Sequence, residues 1–224
     1  MGTLYIVATP IGNLDDVSER ARATLALVDA VLCEDTRITK RLLDRLEIET
    51  KSISYHQHSG QLKEKLVIDM LSDGMSLALV TDAGTPAISD PGGKLVEAVV
   101  AQLGDGVKIV PIPGPSAVVA ALSVSGFPAD RFAFNGFPPH KKGRKKYFDE
   151  VCAMNGTVVF YESTHRILKA MAELVERIPN RQMVVGRELT KMHETIYRGT
   201  PSEVTEQLES TSIKGEFVVV LGPQ

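Results

Sequence analysis

Cysteine is scarce in this chain of 224 residues, which contains only Cys33 and Cys152. They are far apart and match no metal or redox spacing. The opening stretch, from Met1 to Ala8, lacks a basic leader, and its apolar run is too short for a signal peptide or a membrane span. With no export signal, a reducing cytoplasm is the expected compartment, and no membrane partner is expected.

Two phosphate-binding motifs are also missing. A dinucleotide-binding G-x-G-x-x-G should directly follow the first strand, but Thr9-Pro10-Ile11-Gly12-Asn13 has a single glycine, and no Walker A motif occurs. His56 and His58 form an H-x-H pair without further ligands nearby, so no metal site is predicted. The net charge is −3, so any contact with nucleic acid must come from a local basic patch.

Short apolar segments alternate with helical patterns along the first half of the chain. Runs such as Leu77-Ala78-Leu79-Val80 do not alternate with polar residues, which is typical of strands buried on both faces of a parallel sheet. This order predicts an α/β domain. The predicted strands are 4–8, 30–34, 51–55, 77–81 and 108–112, and the predicted helices are 18–28, 36–46, 61–71 and 91–103.

The densest proline cluster, residues 111–115, is predicted to be a hinge, because proline stiffens the chain and removes backbone donors. It divides the chain into predicted domains 1–112 and 113–224, the second an α/β domain with a mixed sheet. Thr200-Pro201-Ser202-Glu203 is a capping box that opens a helix toward Leu208. Further helices are predicted at 116–125 and 163–178, a basic loop and helix at 140–154, and strands at 132–137, 157–161, 183–187, 194–197 and 216–221.

Ligands of parallel α/β sheets gather at the carboxyl ends of the strands, where four loops of this chain stand out. They are residues 8–14, 34–37, 81–93 and 113–117. Glycines in loop 81–93 permit close approach of a ligand to the backbone. Its Ser89-Asp90-Pro91 is equally typical of a tight connection that begins a helix, so both interpretations stay open.

The basic segment, residues 140–146, has five lysine or arginine residues within the six positions 141–146. The segment follows Phe134, Phe137 and Pro138-Pro139, so it could neutralise phosphates while rings stack on bases. The alternative is a solvated loop. Two other polar groups leave a similar choice: His165-Arg166 could face a cleft or cap a helix, and residues 187–191 could act chemically or form a buried ion-pair network.

Several of these segments together resemble the ribosomal RNA small-subunit 2′-O-methyltransferase I group, within the tetrapyrrole (corrin/porphyrin) methylase superfamily. The resemblance covers nearly the whole chain. In the first half it rests on residues 4–14, 33–37, 82–86, 89–92 and 113–117, and in the second half on residues 137–139, 161–163, 165–166, 187–191 and 214–217.

The resemblance implies two α/β sandwich domains with S-adenosylmethionine (SAM) in the cleft between them, and a homodimer. It implies 2′-O-methylation of a decoding-centre cytidine of 16S rRNA, cytidine 1402. Members commonly carry a further C-terminal extension, so RNA contacts of that kind are not expected from residues 1–224. The residues implied to contact SAM are Pro10, Asp82, Gly84, Thr85, Ile88, Ser116, Ala117, Tyr161, Glu162, Leu189 and Thr190.

Methyl transfer to a ribose hydroxyl needs alignment and a proton acceptor. Asp35 and Arg37 follow a predicted strand and could accept the proton and clamp a phosphate, with Glu188 and Lys191 in reserve; an N-cap with a surface ion pair is the alternative for Asp35 and Arg37. The predicted RNA contacts are Lys141, Lys142, Arg144, Lys145, Lys146 and Arg166. Gly84-Thr85-Pro86 stands where tetrapyrrole methylases carry Gly-Asp-Pro, which argues against a tetrapyrrole C-methylase; a catalytically silent rRNA-binding module is the other alternative.

Overall fold

The computed structural model describes residues 1–56, 59–90 and 92–224, so Gln57, His58 and Pro91 lie outside the described residues. Contacts along the chain divide it into two compact units, Met1–Ser116 and Ala117–Gln224. The sequence prediction placed the boundary four residues earlier, between residues 112 and 113.

The first unit alternates strands and helices. Its strands are β1 (Gly2–Val7), β2 (Ala30–Cys33), β3 (Ser52–Ser54), β4 (Ser76–Leu79) and β5 (Val107–Ile112). Its helices are α1 (Glu19–Leu27), α2 (Thr36–Arg45), α3 (Gly60–Ser72) and α4 (Gly92–Leu103). Side chains at both N-caps begin α1 and α2, since Ser18 accepts from the N–H of Ala21 and Asp35 from that of Arg37.

The five strands form one parallel sheet in the order β3-β2-β4-β1-β5. One face packs Leu4, Leu32 and Leu77 against α3 and α4, and the other packs Val7, Val31 and Ala78 against α1 and α2. Both faces are therefore covered, which explains the unbroken apolar runs in the sequence.

The connections that follow the neighbouring parallel strands β1 and β4 lead toward opposite sides of the sheet. After β1 the chain passes through α1 on one face and returns as β2, beyond β4 in the sheet; after β4 it passes through α4 on the other face and returns as β5, beyond β1. Such a switch in direction opens a crevice at the carboxyl ends of the two strands, which is the usual ligand position in open α/β sheets.

The second unit contains a mixed sheet in the order β6-β7-β10-β8-β9. Only β6 and β7 pair in parallel, and the other neighbours are antiparallel. The strands are β6 (Phe132–Phe134), β7 (Thr157–Ser163), β8 (Met183–Arg187), β9 (Thr195–Gly199) and β10 (Glu216–Leu221). The helices are α5 (Ala117–Ser125), α6 (Arg144–Ala153), α7 (Ile167–Arg177) and α8 (Pro201–Ser210).

A single apolar core unites α6, α7 and α8 with one face of this sheet, around Phe148, Phe160 and Phe217. The capping box of α8 is confirmed, since Thr200 accepts from the N–H of Glu203 and the Glu203 carboxylate accepts from the N–H of Thr200. The guanidinium of Arg181 is buried and donates to the carbonyls of Cys152, Gly156 and Gly222.

Most predicted elements lie within a few residues of the observed ones, and the α/β class is confirmed. The predicted helix 163–178 is wrong over its first turn, because Ser163 still pairs with Glu216 in the sheet and α7 begins only at Ile167. Strand 132–137 is also too long, since β6 ends at Phe134. In the described ranges no helix is long and apolar enough to cross a membrane. The same ranges hold no group of three or more His, Cys, Asp or Glu suited to a metal ion; of the H-x-H pair, His58 lies outside them.

Candidate functional site

The loops after β1 and β4 are joined at the switch point by their backbones. Thr9 N–H donates to the Gly84 carbonyl at 2.9 Å, and Gly84 N–H donates to the Thr9 carbonyl at 3.1 Å. The buried Thr9 hydroxyl donates to the Thr81 carbonyl at 3.0 Å. The two loops therefore form one rigid rim over the carboxyl end of the sheet.

The loop after β5 completes this rim. Thr85 Oγ1 donates to the Pro115 carbonyl at 3.1 Å. A Cβ atom on Gly114 would lie 3.0 Å from the Ala8 Cβ, so glycine permits the close approach of these two loops. Gly84 has a φ of +88°, a conformation that strongly favours glycine.

Two non-glycine residues of the β4 loop also occupy the left-handed region, Ala87 with φ 71° and Ser89 with φ 57°. The carboxylate of Asp90 holds this turn, since its Oδ1 accepts from the N–H groups of Ala87 and Gly92. Left-handed non-glycine residues cost about 1–3 kcal/mol each and cluster at ligand sites. These conformations go beyond what a helix start requires, and ligand binding by loop 81–93 stays a prediction.

A small cavity of about 190 Å³ opens beside this rim. That volume is below the roughly 300–1,000 Å³ of complete ligand pockets, so it can hold part of a ligand only. The lining residues come from the loops after β1 and β4, and from α2. They are Thr9, Pro10, Leu14, Ile38, Thr39, Arg41, Leu42, Thr81 and Asp82.

Three carboxyl groups meet where β2 and β4 end. Burial raises the pKa of Glu34 to about 7, helped by a hydrogen bond shared with Asp90 and by the charges of Asp90 and Asp82. Burial also raises the pKa of Asp82, although the N–H of Asp35 donates to its carboxylate. The other oxygen of Asp82, Oδ1, is buried without a hydrogen-bond partner among the described residues.

The predicted catalytic pair Asp35 and Arg37 forms a local ion pair. Arg37 donates to the Asp35 carboxylate from Nε at 3.0 Å and from Nη2 at 2.6 Å, and the Arg37 N–H donates to Oδ1 at 2.8 Å. These bonds hold the pKa of Asp35 well below its usual range. Asp35 is therefore ionised at neutral pH but is a weak proton acceptor, and it caps α2 as the alternative interpretation expected.

In the second unit, β7 and β8 both run antiparallel to the β10 between them, so both end at the same edge of the sheet. This brings the Tyr161-Glu162 stretch and the Leu189-Thr190 turn to one edge. The Tyr161 ring contacts those of Phe134 and Phe137, with centroids 5.0 and 5.2 Å apart. Its hydroxyl accepts from the N–H of Val118, next to Ala117.

Thr190 and Glu188 also lie in the left-handed region, with φ 65° and 50°. Thr190 Oγ1 is buried and has no partner among the described residues. Leu189 is buried and its side chain packs against Gly186. The reserve residues Glu188 and Lys191 form an ion pair at 3.0 Å, and Lys191 also pairs with Glu216 at 2.9 Å; this is an ion-pair network, but it is only partly buried, since the Glu216 side chain is 79% exposed.

Glu162, a predicted SAM contact, has a fully buried side chain. Both carboxylate oxygens accept hydrogen bonds, Oε2 from Arg144 and Oε1 from Arg166 and the Ser163 N–H. Its side chain therefore has no oxygen free for a cofactor. Arg144 and Arg166, predicted to contact RNA, point inward with side chains only 12% and 15% exposed.

The remaining cations of the basic segment are exposed: Lys141, Lys142, Lys145 and Lys146. Lys146 pairs with Glu150 at 3.6 Å on the surface of α6. The predicted first-unit contacts are gathered on the rim, with Pro10, Asp82 and Gly84 at the switch point and Ser116 following the Pro115 carbonyl that Thr85 binds. Ile88 is 48% exposed.

Sequence reasoning missed Glu34 and Thr9 as functional candidates. Glu34 directly follows β2, in the same loop as Asp35, and an acidic residue at a strand's carboxyl end was the available signal. Nothing in the sequence could place Asp90, which is 56 residues later, beside Glu34. Thr9 follows β1, but only the bridge to Gly84 makes its hydroxyl part of the rim.

Comparison with known proteins gives a consistent result. Residues 3–205 match the family model of the tetrapyrrole (corrin/porphyrin) methylases. The chain is 45% identical, over 98% of its length, to the ribosomal RNA small subunit methyltransferase I of Halalkalibacterium halodurans, of which it covers 75%. It is 40% identical to the protein of that name from Thermotoga maritima, covering 99% of this chain and 98% of that protein.

Solved structures of the same fold include a diphthine synthase, with a TM-score of 0.75 at 12% identity, covering 99% of this chain and 90% of that one. Another is the uroporphyrin-III C-methyl transferase of Thermus thermophilus in complex with S-adenyl homocysteine, with a TM-score of 0.66 at 17% identity, covering 99% and 97%. At these identities the likeness concerns the fold alone.

Proposed function

Because the chain belongs to the ribosomal RNA small subunit methyltransferase I family of tetrapyrrole (corrin/porphyrin) methylases, we propose that it transfers a methyl group from SAM to small-subunit ribosomal RNA. The similar ribosomal RNA methyltransferases support ribosomal RNA as the class of substrate. The geometric observation that supports cofactor binding is the Thr9–Gly84 bridge. It closes a rim beside Asp82 Oδ1, a buried carboxylate oxygen without a hydrogen-bond partner in the described part of the chain.

The residues of the rim fit a cationic, hydroxyl-bearing cofactor. Buried polar atoms without partners are rare, and Asp82 Oδ1 could accept from a ribose hydroxyl or face a positive sulfonium. Gly84 would allow the cofactor to lie against the backbone. In the second unit, Thr190 Oγ1 is another buried polar atom without a hydrogen-bond partner among the described residues. Pro10, Thr85, Ser116 and Ala117 would complete the contacts, with Ile88 at the exposed margin.

SAM supplies an electrophilic methyl group on a sulfonium centre. The rim residues would hold the cofactor in a fixed orientation, which is the main contribution an enzyme makes to an in-line displacement. The ribose 2′-hydroxyl is a poor nucleophile at neutral pH, so a side chain must accept its proton as the methyl group moves.

Glu34 is better suited to accept this proton than the predicted base Asp35. The pKa of Glu34, raised to about 7, lies near the working pH, where a carboxylate is both available and basic. Asp35 would instead keep Arg37 oriented, and the exposed Arg37 guanidinium could clamp an RNA phosphate. Glu188 and Lys191 remain in reserve, although each already has an ion-pair partner.

The RNA surface would be the four exposed lysines of the basic segment together with Phe137, which is 49% exposed and could stack on a base. Ribosomal RNA is the partner, and we further propose the ribose of a decoding-centre cytidine in 16S rRNA as the target, a homodimer as the active form and the cytoplasm as the compartment. These finer points rest on the family.

Incubation of the protein with labelled SAM and 30S subunits tests the proposal. We expect label in 16S rRNA at a ribose, mapped by resistance of the adjoining phosphodiester to alkali. Label on a porphyrinogen and none on 30S subunits would instead indicate a tetrapyrrole C-methylase. RNA binding that does not respond to SAM, without any transfer, would indicate a silent binding module.

Replacement of Lys141, Lys142, Lys145 and Lys146 by serine tests the RNA surface. RNA affinity should fall and depend less steeply on salt, because fewer counterions are released, while SAM affinity stays unchanged. A control variant with serine at Lys40, Lys51, Lys65 and Lys94 removes the same charge from the first unit. Equal loss in both variants would contradict a local RNA surface.

A further inference from the structure

Glu162 is the centre of a charged cluster at the carboxyl end of β7. Its side chain is fully buried, and it accepts from Arg144 Nη1 and Nη2, both at 3.3 Å, and from Arg166 Nε at 3.0 Å. The carboxylate lies on the face of β7 that also carries Phe160, beside the core formed with α6 and α7. One buried anion thus holds two cations that come from different elements.

Each arginine holds the chain just before the basic segment. Arg166 Nη1 donates to the Pro138 carbonyl at 2.9 Å, and Arg144 Nη1 donates to the Pro139 carbonyl at 3.4 Å. Prolines have no N–H group, so these carbonyls are the backbone groups through which the Pro138-Pro139 turn can be fixed. The arginines would lose their orientation without the carboxylate between them.

Aromatic rings fix the same stretch from the side. The Arg144 guanidinium lies 5.0 Å from the centroid of the Phe148 ring, and the Arg166 guanidinium lies 5.9 Å from that of Phe137. Phe137 also contacts Tyr161, and the Tyr161 N–H donates to the Gly136 carbonyl at 2.8 Å. The turn between β6 and α6 is therefore anchored at both ends of its proline pair.

We propose that Glu162 is a positioning residue for RNA: it orients Arg144 and Arg166, which fix the Pro138-Pro139 turn and so direct Phe137 and the exposed lysines toward the substrate. The inference rests on the proposed function and deepens it. This role does not require the Glu162 carboxylate to contact SAM, since both of its oxygens are occupied within the protein. The ligand that Phe137 and the exposed lysines would bind is a polyanion with unstacked bases.

Glu162→Gln is the sharpest substitution, because glutamine keeps the shape and removes the charge. Two guanidinium groups would then face each other with a neutral amide between them, and one of them would leave. Because the departing arginine no longer holds its proline carbonyl, the Pro138-Pro139 turn should open more often. Cleavage by trypsin at Lys141 and Lys142 should become about tenfold faster, the factor given by about 1.4 kcal/mol in the local opening equilibrium.

Steady-state kinetics provide the second readout. We expect the KM for 30S subunits to rise several-fold, with kcat and the Kd for SAM close to the wild-type values. A merely structural role would lower the active fraction and hence kcat instead. Glu173→Gln is the matched control, since it removes the same charge from an ion pair with Arg177 in the same unit, and it should leave both cleavage and KM unchanged.

Arg166→Gln keeps the test decisive if Glu162→Gln does not fold. It removes the bonds to Glu162 and to the Pro138 carbonyl, so cleavage should rise here as well. Raised KM without faster cleavage would mean that Arg166 only contacts RNA, which overturns the positioning role. Loss of SAM binding with unchanged KM for 30S subunits in Glu162→Gln would also overturn it.

Failure of the inference and of the proposed function can be told apart. If the wild-type protein transfers no methyl group to 30S subunits, the proposed function fails, whatever trypsin shows. If the wild type is active and Glu162→Gln matches it in cleavage and in KM, only the positioning role of Glu162 is lost.

Discussion

Thr9 and Gly84 exchange two backbone hydrogen bonds across 75 residues of sequence, and this pair of bonds joins the loops after β1 and β4 at the switch point of the first sheet. The bridge depends on a conformation of Gly84 that other residues rarely adopt, with φ at +88°. It thereby makes the rim sensitive to single substitutions at either residue.

Gly84→Ala should weaken SAM binding and lower the free energy of unfolding. The left-handed backbone alone costs an alanine about 1–2 kcal/mol, and the new Cβ would lie 3.4 Å from Ile11 Cγ2, on the rim. Isothermal titration calorimetry and urea denaturation would measure the two effects. Gly104→Ala is the control, because Gly104 has φ +48° and open space around it; it should lose stability but keep SAM affinity.

Thr9→Val should destabilise the first unit by about 1–3 kcal/mol, because the nearly isosteric side chain leaves the buried Thr81 carbonyl without the donor it has now. Thr9→Ser retains the hydroxyl and should recover most of this loss. Urea denaturation of the three proteins would measure it. Equal stability of the valine and serine variants would show that the hydroxyl is unimportant.

Glu34→Gln should alter how stability depends on pH. Folding raises the pKa of Glu34 from 4.5 to about 7, so between these values the folded protein holds a proton that the unfolded chain releases. The contribution of the Glu34 carboxyl to wild-type stability is therefore complete below pH 4.5. It is lost as the pH rises through about 7. Glutamine does not titrate, so the variant should gain stability relative to wild type as pH rises from about 4.5 to about 7.

The exposed Glu97→Gln on α4 serves as the control for this titration. Its stability difference from wild type should stay nearly constant over the same pH interval. Thermal unfolding at a series of pH values would compare the three proteins, and a constant difference for Glu34→Gln as well would contradict the shifted pKa.

Arg181→Met should destabilise the second unit by at least about 3 kcal/mol, since three backbone carbonyls lose a charged donor at once. Those carbonyls belong to the end of α6, the approach to β7 and the residue after β10, so one side chain connects three parts of the unit. Arg181→Lys keeps the charge but cannot reach all three. It should have intermediate stability in urea denaturation, whereas Arg131→Met, at an exposed position, should have little effect.

Local patterns were sufficient to predict most of the helices and strands. The buried parallel strands follow from unbroken apolar runs such as 77–80, and α8 follows from a capping box that needs only four neighbouring residues. The start of α7 could not be predicted in this way. Residues 163–166 continue a helical pattern, but the pairing of Ser163 with Glu216, 53 residues later, extends β7 instead.

The sequence alone determined the α/β class, the family and the loops in which the rim residues lie, because periodicity, turn residues and motifs are properties of neighbouring positions. Only the tertiary structure decided what individual side chains can do. The Glu162 carboxylate is buried and paired with Arg144, which points inward from the basic segment because an opposite charge compensates its burial. The pKa of Glu34 rose to about 7 through burial and the like charges of Asp90 and Asp82, which approach it only after β4 has paired beside β2.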